Sequence, residues 1–445
     1  STASPRSEAR IFNGSAIFLS SIKFSGNPPH GQSYSKRHYG LMKVDSDIII
    51  VGGGLNGSLM ALATANIGFS TIILDSKNNE ESEENRFDGR SYALALSSVR
   101  LLKNLDIFED IVDKAQPILD IKILDGKLVQ GPSLFSLHFD NNEIHDGPMG
   151  QMVEDRFIRK ALFTNINKNE QIDYKFNSKV TEHKKQSGYI SVTLDNGKKL
   201  NTKLLVGADG RNSELANRAE IKKSGWKYNQ SALVCAIEHE ADHNGVAWQY
   251  FMPSGPLAVL PMTGKRSCIV WTEQDANAKA INLFDETKYT KILAARLGNF
   301  LGKFKLIGDR HTYPLELSIA DRFIDERLAL IGDAAHSVHP IAGQGLNAGF
   351  KDIAVLAHII QDAHNRGEDL GSLGVLKRYE EWRRFDSAQL AYSTDLFNKL
   401  FSNENEALRL ARNIGLKLLD SIPVAKRNII KEAAGITGEL PRLMH

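Results

Sequence analysis

The feature that most constrains the fold is an uncharged run, residues 48–74, that is interrupted by glycines. On length alone such a run could cross a bilayer. Its internal order indicates something else: an apolar strand at 47–51, the turn Gly52-Gly53-Gly54-Leu55-Asn56-Gly57, a helical pattern, a second strand at 71–74, and then Asp75. This order predicts a strand, turn, helix and strand that together bind a dinucleotide.

Each part of this pattern has a physical reason. Gly52 permits the tight turn, Gly54 lets a pyrophosphate approach the backbone, and Gly57 lets the helix pack on the strand. Asp75, at the end of the second strand, can hydrogen bond a ribose hydroxyl. A buried apolar hairpin of helices would leave Asp75 without a purpose, so we expect these four residues to bind the cofactor.

A second glycine-rich connection lies near residue 340. Residues 328–331 read as a short buried strand that is followed by Asp333, and a helical pattern begins at Gln344. Pro340, Gly343 and Gly345 mark the connection between them. The exposed N–H groups and positive dipole at the start of a helix favour a group that carries or develops negative charge. A reduced flavin ring, which is anionic over N1 and the C2 carbonyl, is such a group.

This stretch resembles a known motif. The run Gly332-Asp333-Ala334-Ala335-His336, followed by His339-Pro340 and Gly343-Gln344-Gly345-Leu346-Asn347, is similar to the flavin-binding motif of FAD-dependent aromatic hydroxylases, the class A flavoprotein monooxygenases. Within that class the chain most resembles the ubiquinone-biosynthesis hydroxylases of the 2-polyprenyl-6-methoxyphenol hydroxylase type. The segment from Gly255 to Pro261 and the pair Val270-Trp271 add to the resemblance, which runs from about residue 45 to the end.

The resemblance implies further cofactor contacts. Arg90 matches an arginine near the flavin, while Gln151 and Arg156 stand where the chain returns to the cofactor domain. Asp209 and Gly210 match a second fingerprint, which borders both FAD and the path of a nicotinamide donor. Asp333 would bond the ribityl chain of FAD, and Pro340 would close one side of the flavin ring. Charge near N1 of the ring would be stabilised by backbone amides, those of Gly343, Gln344, Gly345, Leu346 and Asn347.

The reaction that the resemblance implies is hydroxylation of the aromatic ring of a polyprenylated phenol in ubiquinone biosynthesis. NAD(P)H or a reduced ferredoxin would reduce FAD, and O₂ would react to give a C4a-hydroperoxyflavin that transfers oxygen to the ring. Tyr250 and His339 are candidates for the base that accepts the phenol proton, although no motif decides between them. Two alternatives remain open: a hydroxylase of a soluble aromatic compound, and a catalytically silent FAD-binding or redox-sensing partner protein.

The expected fold class is α/β, with a Rossmann-like FAD-binding domain built as a three-layer sandwich, an antiparallel-sheet substrate domain and C-terminal helices. The segments are interleaved in the chain. The FAD-binding domain is expected to comprise 45–117, 149–222 and 319–365, and the substrate domain 118–148 and 223–318. Residues 1–44 are an extension, and residues 366–445 are the helical region.

A zinc-protease pattern, His239-Glu240-Ala241-Asp242-His243, occurs in a β-like region. We interpret it as the exposed end of a hairpin, in which the extended chain separates the two histidines by about 13 Å, too far for one metal. No metal is therefore expected. The net charge of +2 and the lack of a dense basic block give no electrostatic footprint for nucleic acid. Cys235 and Cys268 lie in apolar runs and indicate buried thiols in a reducing compartment.

Two segments bear on the cellular location of the protein, the N-terminal residues and the C-terminal helical region. Residues 1–41 are serine-rich and poor in acidic residues, as in a transit peptide, but a non-native extension ahead of Met42 explains them equally well. Residues 406–432 are expected to form amphipathic, basic helices that suit either a solvated face or peripheral membrane contact. The chain is therefore expected in the cytoplasm, peripheral to a bacterial inner membrane, or on the matrix side of the mitochondrial inner membrane, with ubiquinone-biosynthesis proteins as partners.

Overall fold

The computed structural model describes residues 44–78, 86–125, 136–140, 147–252, 254–337, 344–401 and 423–445. The predictions for the N-terminal extension, for His339, Pro340 and Gly343, and for most of the basic helices at 406–432 fall outside the described residues.

The described strands are, in chain order, β1 (Ser46–Val51), β2 (Thr71–Leu74), β3 (Ser91–Ala95), β4 (Gln116–Ile118), β5 (Asp120–Asp125), β6 (Ser136–Asp140), β7 (Gly150–Glu154), β8 (Ile172–Lys175), β9 (Val180–Gln186), β10 (Tyr189–Leu194), β11 (Lys199–Gly207), β12 (Lys223–His239), β13 (Val246–Met252), β14 (Gly255–Met262), β15 (Arg266–Gln274), β16 (Phe304–Ala320), β17 (Ile324–Asp325), β18 (Leu328–Leu330) and β19 (His336–Ser337).

The described α-helices are α1 (Leu55–Ile67), α2 (Leu96–Asn104), α3 (Asp155–Asn167), α4 (Glu214–Arg218), α5 (Asp275–Asn282), α6 (Glu286–Leu297), α7 (Gln344–Asn365), α8 (Leu373–Phe401) and α9 (Pro423–Ala433).

The first sheet has the strand order β17-β18-β11-β1-β2-β8, and β1 runs parallel to both β2 and β11. Its central strands are almost wholly apolar because both faces are buried in one core. The register pairs Val51 with Leu74 and with Gly207, and Gly207 with Leu330. The carboxyl ends of four parallel strands therefore meet at one edge, where ligands of open α/β sheets bind.

The second sheet has the order β19-β16-β12-β15-β14-β13-β5-β6 and is antiparallel except for the parallel pair β13 and β5. One of its faces packs against α5 and α6 in a core of its own. The opposite face packs toward β4 and β7 through Ile118 and Met152. The prediction of a mixed α/β fold is confirmed.

A third, small sheet has the order β3-β7-β4. It contributes Leu94 and Val153 to the core of the first sheet, and Ile118 and Met152 to a cluster with residues of the second sheet. The long helices α7 and α8 pack together, and α7 also packs on α1. Among the described residues, no helix combines the length and the apolar character that crossing a membrane requires.

Candidate cofactor site

The first glycine turn has the geometry that the sequence predicts. Gly52 has a φ of 100°, and a Cβ built there would lie 2.5 Å from the carbonyl oxygen of Ala208. A Cβ on Gly57 would lie 1.8 Å from the carbonyl oxygen of Gly52. A Cβ on Gly54, in contrast, would meet nothing within 4 Å, and Gly54 caps α1 without a side-chain hydrogen bond. The open side of the turn thus offers uncapped N–H groups to an incoming anion.

Asp75 lies beside this turn, but protein donors already surround it. Its Oδ2 accepts hydrogen bonds from the Gly53 N–H and from the Tyr174 hydroxyl, each at 3.1 Å, and its Oδ1 accepts one from the Lys77 N–H at 3.0 Å. The residue is only 8% exposed. Asp75 therefore fixes the turn, whatever else it contacts.

Arg159 is a cofactor-site candidate that the sequence did not reveal. It lines the pocket beside the glycine turn, and Asp155 at 2.6 Å orients its guanidinium. Its side chain remains 26% exposed, so it can meet a phosphate. No motif marks it, because it lies on α3, far from the turn in sequence.

The second motif forms a tight turn after β18. Gly332 has a φ of 59° and begins the 3-10 turn Gly332–Ala334, which leaves Asp333 half-buried. The N–H of Gly332 and the Nε2 of His336 both bond to the Oδ2 of Asp352, at 2.7 and 2.8 Å. One carboxylate of α7 thus holds both sides of the turn that presents Asp333.

The two motifs touch each other through Asn56. A Cβ on Gly332 would lie 2.2 Å from the Nδ2 atom of Asn56, and a Cβ on Gly349 of α7 would lie 2.7 Å from it. Both glycines are therefore required for the close approach. The two predicted parts of the site are adjacent in space, which suits one extended cofactor.

At the start of α7, some residues use their side chains in contacts within the protein, whereas Gly345 lies open. The Asn347 side chain is fully engaged: its Oδ1 accepts from the Ala95 N–H and from the Ser98 hydroxyl, and its Nδ2 donates to the Ala93 carbonyl, all at 2.8 Å. It ties α7 to β3, so only its backbone remains for a cofactor. A Cβ on Gly345 would meet nothing within 4 Å. Leu346 packs against the core, and the side chain of Gln344 is not described.

The second fingerprint lies at the same sheet edge. The Oδ2 of Asp209 accepts the Leu215 N–H at 3.0 Å, and Gly210 has a φ of 81°. Lys223, which the sequence did not single out, donates from Nζ to the carbonyl oxygens of Arg211 and Asp333 at 2.8 and 3.1 Å. Burial lowers the pKa of Lys223, although the carboxylates of Asp209 and Asp333 oppose the shift. Lys223 thus links the two acidic motifs.

The remaining predicted contacts lie on and around the small sheet. Arg90 forms ion pairs with Asp88 at 2.6 Å and with Asp155 at 3.3 Å. Arg156 donates to Glu154 at 2.8 Å and lies over the ring of Phe157, so it is held at the junction of β7 and α3.

Several buried oxygens fit a polar cofactor that approaches this edge. The Oδ1 atoms of Asn56 and Asp209 and the Oε1 of Gln151 are buried and have no hydrogen-bond partner among the residues that the structure describes. Buried polar atoms are nearly always paired in native proteins. Together with the open glycines, these atoms are what a bound dinucleotide with many hydroxyl and amide groups would satisfy.

The structure places Tyr250 away from this edge. It is 3% exposed and packs with Trp248 and Phe300 on the sheet face that α5 and α6 cover. Burial raises its pKa far above the ordinary value. Tyr250 therefore serves packing, and its expected role as a base is not supported by its position.

The hairpin interpretation of His239 and His243 is wrong. β12 and β13 do not pair with each other, and both imidazoles are buried, with ring centroids 6.0 Å apart. His239 bonds to Ala241 and Ser267, and His243 bonds to the carbonyl oxygens of Met262 and Gly264. The distance estimate failed because the chain bends after β12 instead of remaining extended.

The two motifs that meet through Asn56, with buried oxygens around them that lack a partner among the described residues, are typical of a dinucleotide-binding flavoprotein. A family model described as an FAD binding domain matches residues 45–392. The chain belongs to this FAD binding domain family, and FAD is its cofactor.

Comparison with individual proteins narrows the class. The ubiquinone hydroxylase UbiL of Rhodospirillum rubrum is 38% identical over 90% of this chain and 92% of its own length. The 3-demethoxyubiquinol 3-hydroxylase of Escherichia coli is 30% identical over 88% of this chain and 99% of its own. The crystal structure of p-nitrophenol 4-monooxygenase from Pseudomonas putida superimposes with a TM-score of 0.73 at 19% identity, covering 88% of this chain and 98% of that one.

Proposed function

We propose that this protein is an FAD-dependent monooxygenase that hydroxylates the ring of a polyprenylated phenol in ubiquinone biosynthesis. The observation that carries the proposal is the similarity to two ubiquinone-pathway hydroxylases over about nine tenths of the chain. The contact of these motifs through Asn56 supports it, because it leaves one continuous site for FAD.

Each part of FAD would be held by a different motif of the chain. The turn at Gly52, Gly54 and Gly57 would bind the pyrophosphate, with Arg159 offering a counter-charge. Asp333 would bond the ribityl chain, and the backbone amides at the start of α7 would face the N1 side of the ring. Bound FAD would accept two electrons from the donor and would activate O₂, which side chains alone cannot do.

The face of the second sheet that is turned toward β7 suits an apolar substrate. Val234, Leu260 and Val270 are apolar, lie on this face and are only partly buried. Such a face can pack against an aromatic ring with an uncharged prenyl tail and exclude water from the reacting atoms. Exclusion of water matters because a wet site would release peroxide instead of transferring oxygen.

His339 is the remaining candidate from the sequence for the base that accepts the proton of the phenol. Pro340 would close one side of the flavin ring.

We infer that NAD(P)H is the electron donor and that the substrate arrives from a membrane surface. A reduced ferredoxin and other ubiquinone-biosynthesis proteins are the alternative donor and the expected partners.

The test is anaerobic reduction of the bound FAD by NADH and by NADPH, with and without a short-chain prenylphenol. Absorbance of the oxidised flavin reports the rate. The proposal expects the prenylphenol to accelerate reduction and a hydroxylated ring to form after oxygen is admitted. A flavin that both nicotinamides reduce equally fast with and without any phenol, and that then yields only hydrogen peroxide, would contradict it.

A further inference from the structure

We propose that Lys223 is a positioning residue for FAD, which holds together the two acidic turns of the cofactor site, those that carry Asp209 and Asp333. The inference rests on the proposed contact between Asp333 and the ribityl chain of FAD, and it does not depend on the hydroxylation reaction. The chemistry proposed above assigns no role to Lys223.

The two turns come from distant parts of the chain and emerge side by side. Gly207 at the end of β11 and Leu330 at the end of β18 are register partners in parallel strands. The Asp209 turn follows the first of these strands, and the Asp333 turn follows the second. Ligands of open α/β sheets bind at such an edge, so the position of one turn relative to the other sets the shape of the site.

Lys223 bridges these two turns by hydrogen bonds. From the first residue of β12, its Nζ donates to the carbonyl oxygen of Arg211 at 2.8 Å and to that of Asp333 at 3.1 Å. One acceptor lies on each turn. An ammonium group is a compact charge with three donors and can satisfy two carbonyl groups at once. The backbone of one turn is thus fixed relative to the other.

The other side-chain anchors that the structure describes act on one turn at a time. The Oδ2 of Asp209 accepts the Leu215 N–H of its own segment at 3.0 Å. The N–H of Gly332 is held by Asp352 of α7 at 2.7 Å. Loss of the Lys223 ammonium would therefore leave each turn folded but able to shift against the other.

Charge gives a second reason for a lysine at this place. Burial lowers the pKa of Lys223, but the carboxylates of Asp209 and Asp333 act in the opposite direction, so both interact with the ammonium. The neighbouring cation, Arg211, is directed instead to Glu316, 3.6 Å away. Removal of the Lys223 charge would leave two like charges at one edge of the sheet without this common partner.

The test compares the affinities for FAD and for ADP of the full-length protein depleted of flavin, by flavin fluorescence and by calorimetry. ADP lacks the ribityl chain and the flavin ring, so it reports on the glycine turn alone. Lys223→Met should weaken FAD about tenfold and leave ADP within about twofold of the wild type. The matched control is Lys222→Met, the exposed neighbour, which should change neither affinity. Equal losses of FAD and ADP affinity, or an unchanged affinity for FAD, would overturn the proposal.

A double-mutant cycle separates positioning from a general loss of structure. If Lys223 acts through the Asp333 turn, Lys223→Met should weaken FAD by less than about threefold once Asp333→Asn has already removed the ribityl contact. The same fold-loss in both backgrounds would show that Lys223 does not act through Asp333. If Lys223→Met does not fold, Lys223→Gln carries the same comparisons, because it also removes the charge.

The outcome for Asp333→Asn alone decides the premise. We expect it to weaken FAD and to leave ADP affinity unchanged. A normal FAD affinity in that variant would show that Asp333 does not hold the ribityl chain, and the inference would fall with it. Because no step of the test involves turnover, such a failure is distinct from a failure of the proposed hydroxylation.

Discussion

The Nε atom of Arg383 donates to the Oδ1 of Asp352 across 2.6 Å, at a place where both side chains are buried. Asp352 lies on α7 and also accepts from the turn that carries Asp333, whereas Arg383 comes from α8. The ion pair therefore couples a C-terminal helix to the cofactor edge. α8, which the sequence assigns to the C-terminal helical region, thus supplies a charge to the FAD-binding core.

Replacing Arg383 by Met should destabilise the protein by about 3–5 kcal/mol, because it leaves the buried carboxylate of Asp352 without the guanidinium that is paired with it. The free energy of unfolding in urea measures the effect. The matched control is Arg384→Met, since Arg384 is the exposed neighbour on the same helix, and it should change stability by about 0.5 kcal/mol or less. Equal losses for the two variants would show that the ion pair has no special importance.

The same cluster predicts how stability depends on pH. Burial acts to raise the pKa of Asp352, but His336 and Arg383 outweigh it and hold the pKa below its ordinary value. A carboxyl whose pKa is depressed in the folded state stabilises that state above its unfolded pKa and ceases to do so as the pH falls toward the folded value. The stabilisation should therefore be complete near neutral pH and decline below about pH 4.

Urea unfolding at a series of acidic pH values checks this. The difference in unfolding free energy between the wild type and Asp352→Asn should shrink as the pH falls below about 4. A difference that stays constant over that range would mean that the charge of Asp352 is not what stabilises the turn.

Gly345 offers a way to separate cofactor binding from folding. Since a Cβ there would meet nothing in the protein, Gly345→Ala should leave the unfolding free energy of the flavin-depleted protein within about 1 kcal/mol of the wild type. It should weaken FAD by about tenfold or more, because the methyl group would occupy space that the flavin needs.

Gly374→Ala is the matched control for that experiment. Gly374 also lies in the first turn of a helix, α8, and a Cβ there likewise meets nothing within 4 Å. FAD affinity, measured by the change in flavin fluorescence, should not change. If both variants bound FAD as tightly as the wild type, the start of α7 would not face the cofactor.

Local pattern was enough to predict much of the fold. Residues 47–75 form the predicted strand, turn, helix and strand because their apolar spacing and their glycines specify each step without help from distant residues. The strand before Asp333 and the helix from Gln344 follow for the same reason.

What the sequence did not reveal depends on long-range contacts. Tyr174 reaches Asp75 only because β8 pairs with β2, and Lys223 reaches Asp333 only because β12 pairs with β16 near the second motif. No local signal marks either residue. Asn347 is the opposite case, because the sequence motif marks it as a cofactor residue. Its side chain instead makes a structural hydrogen bond to β3, and only its backbone would face the cofactor.

The most direct test of the proposed activity is a single turnover with isotopically labelled oxygen. The bound FAD is reduced chemically without air, and the protein is then mixed with ¹⁸O₂ and a short-chain prenylphenol, so that the identity of the natural electron donor does not matter. Mass spectrometry should find a ring-hydroxylated product that carries one labelled oxygen, in an amount approaching that of the reduced flavin. An unchanged phenol, with all of the oxygen recovered as hydrogen peroxide, would contradict the assignment as a ring hydroxylase.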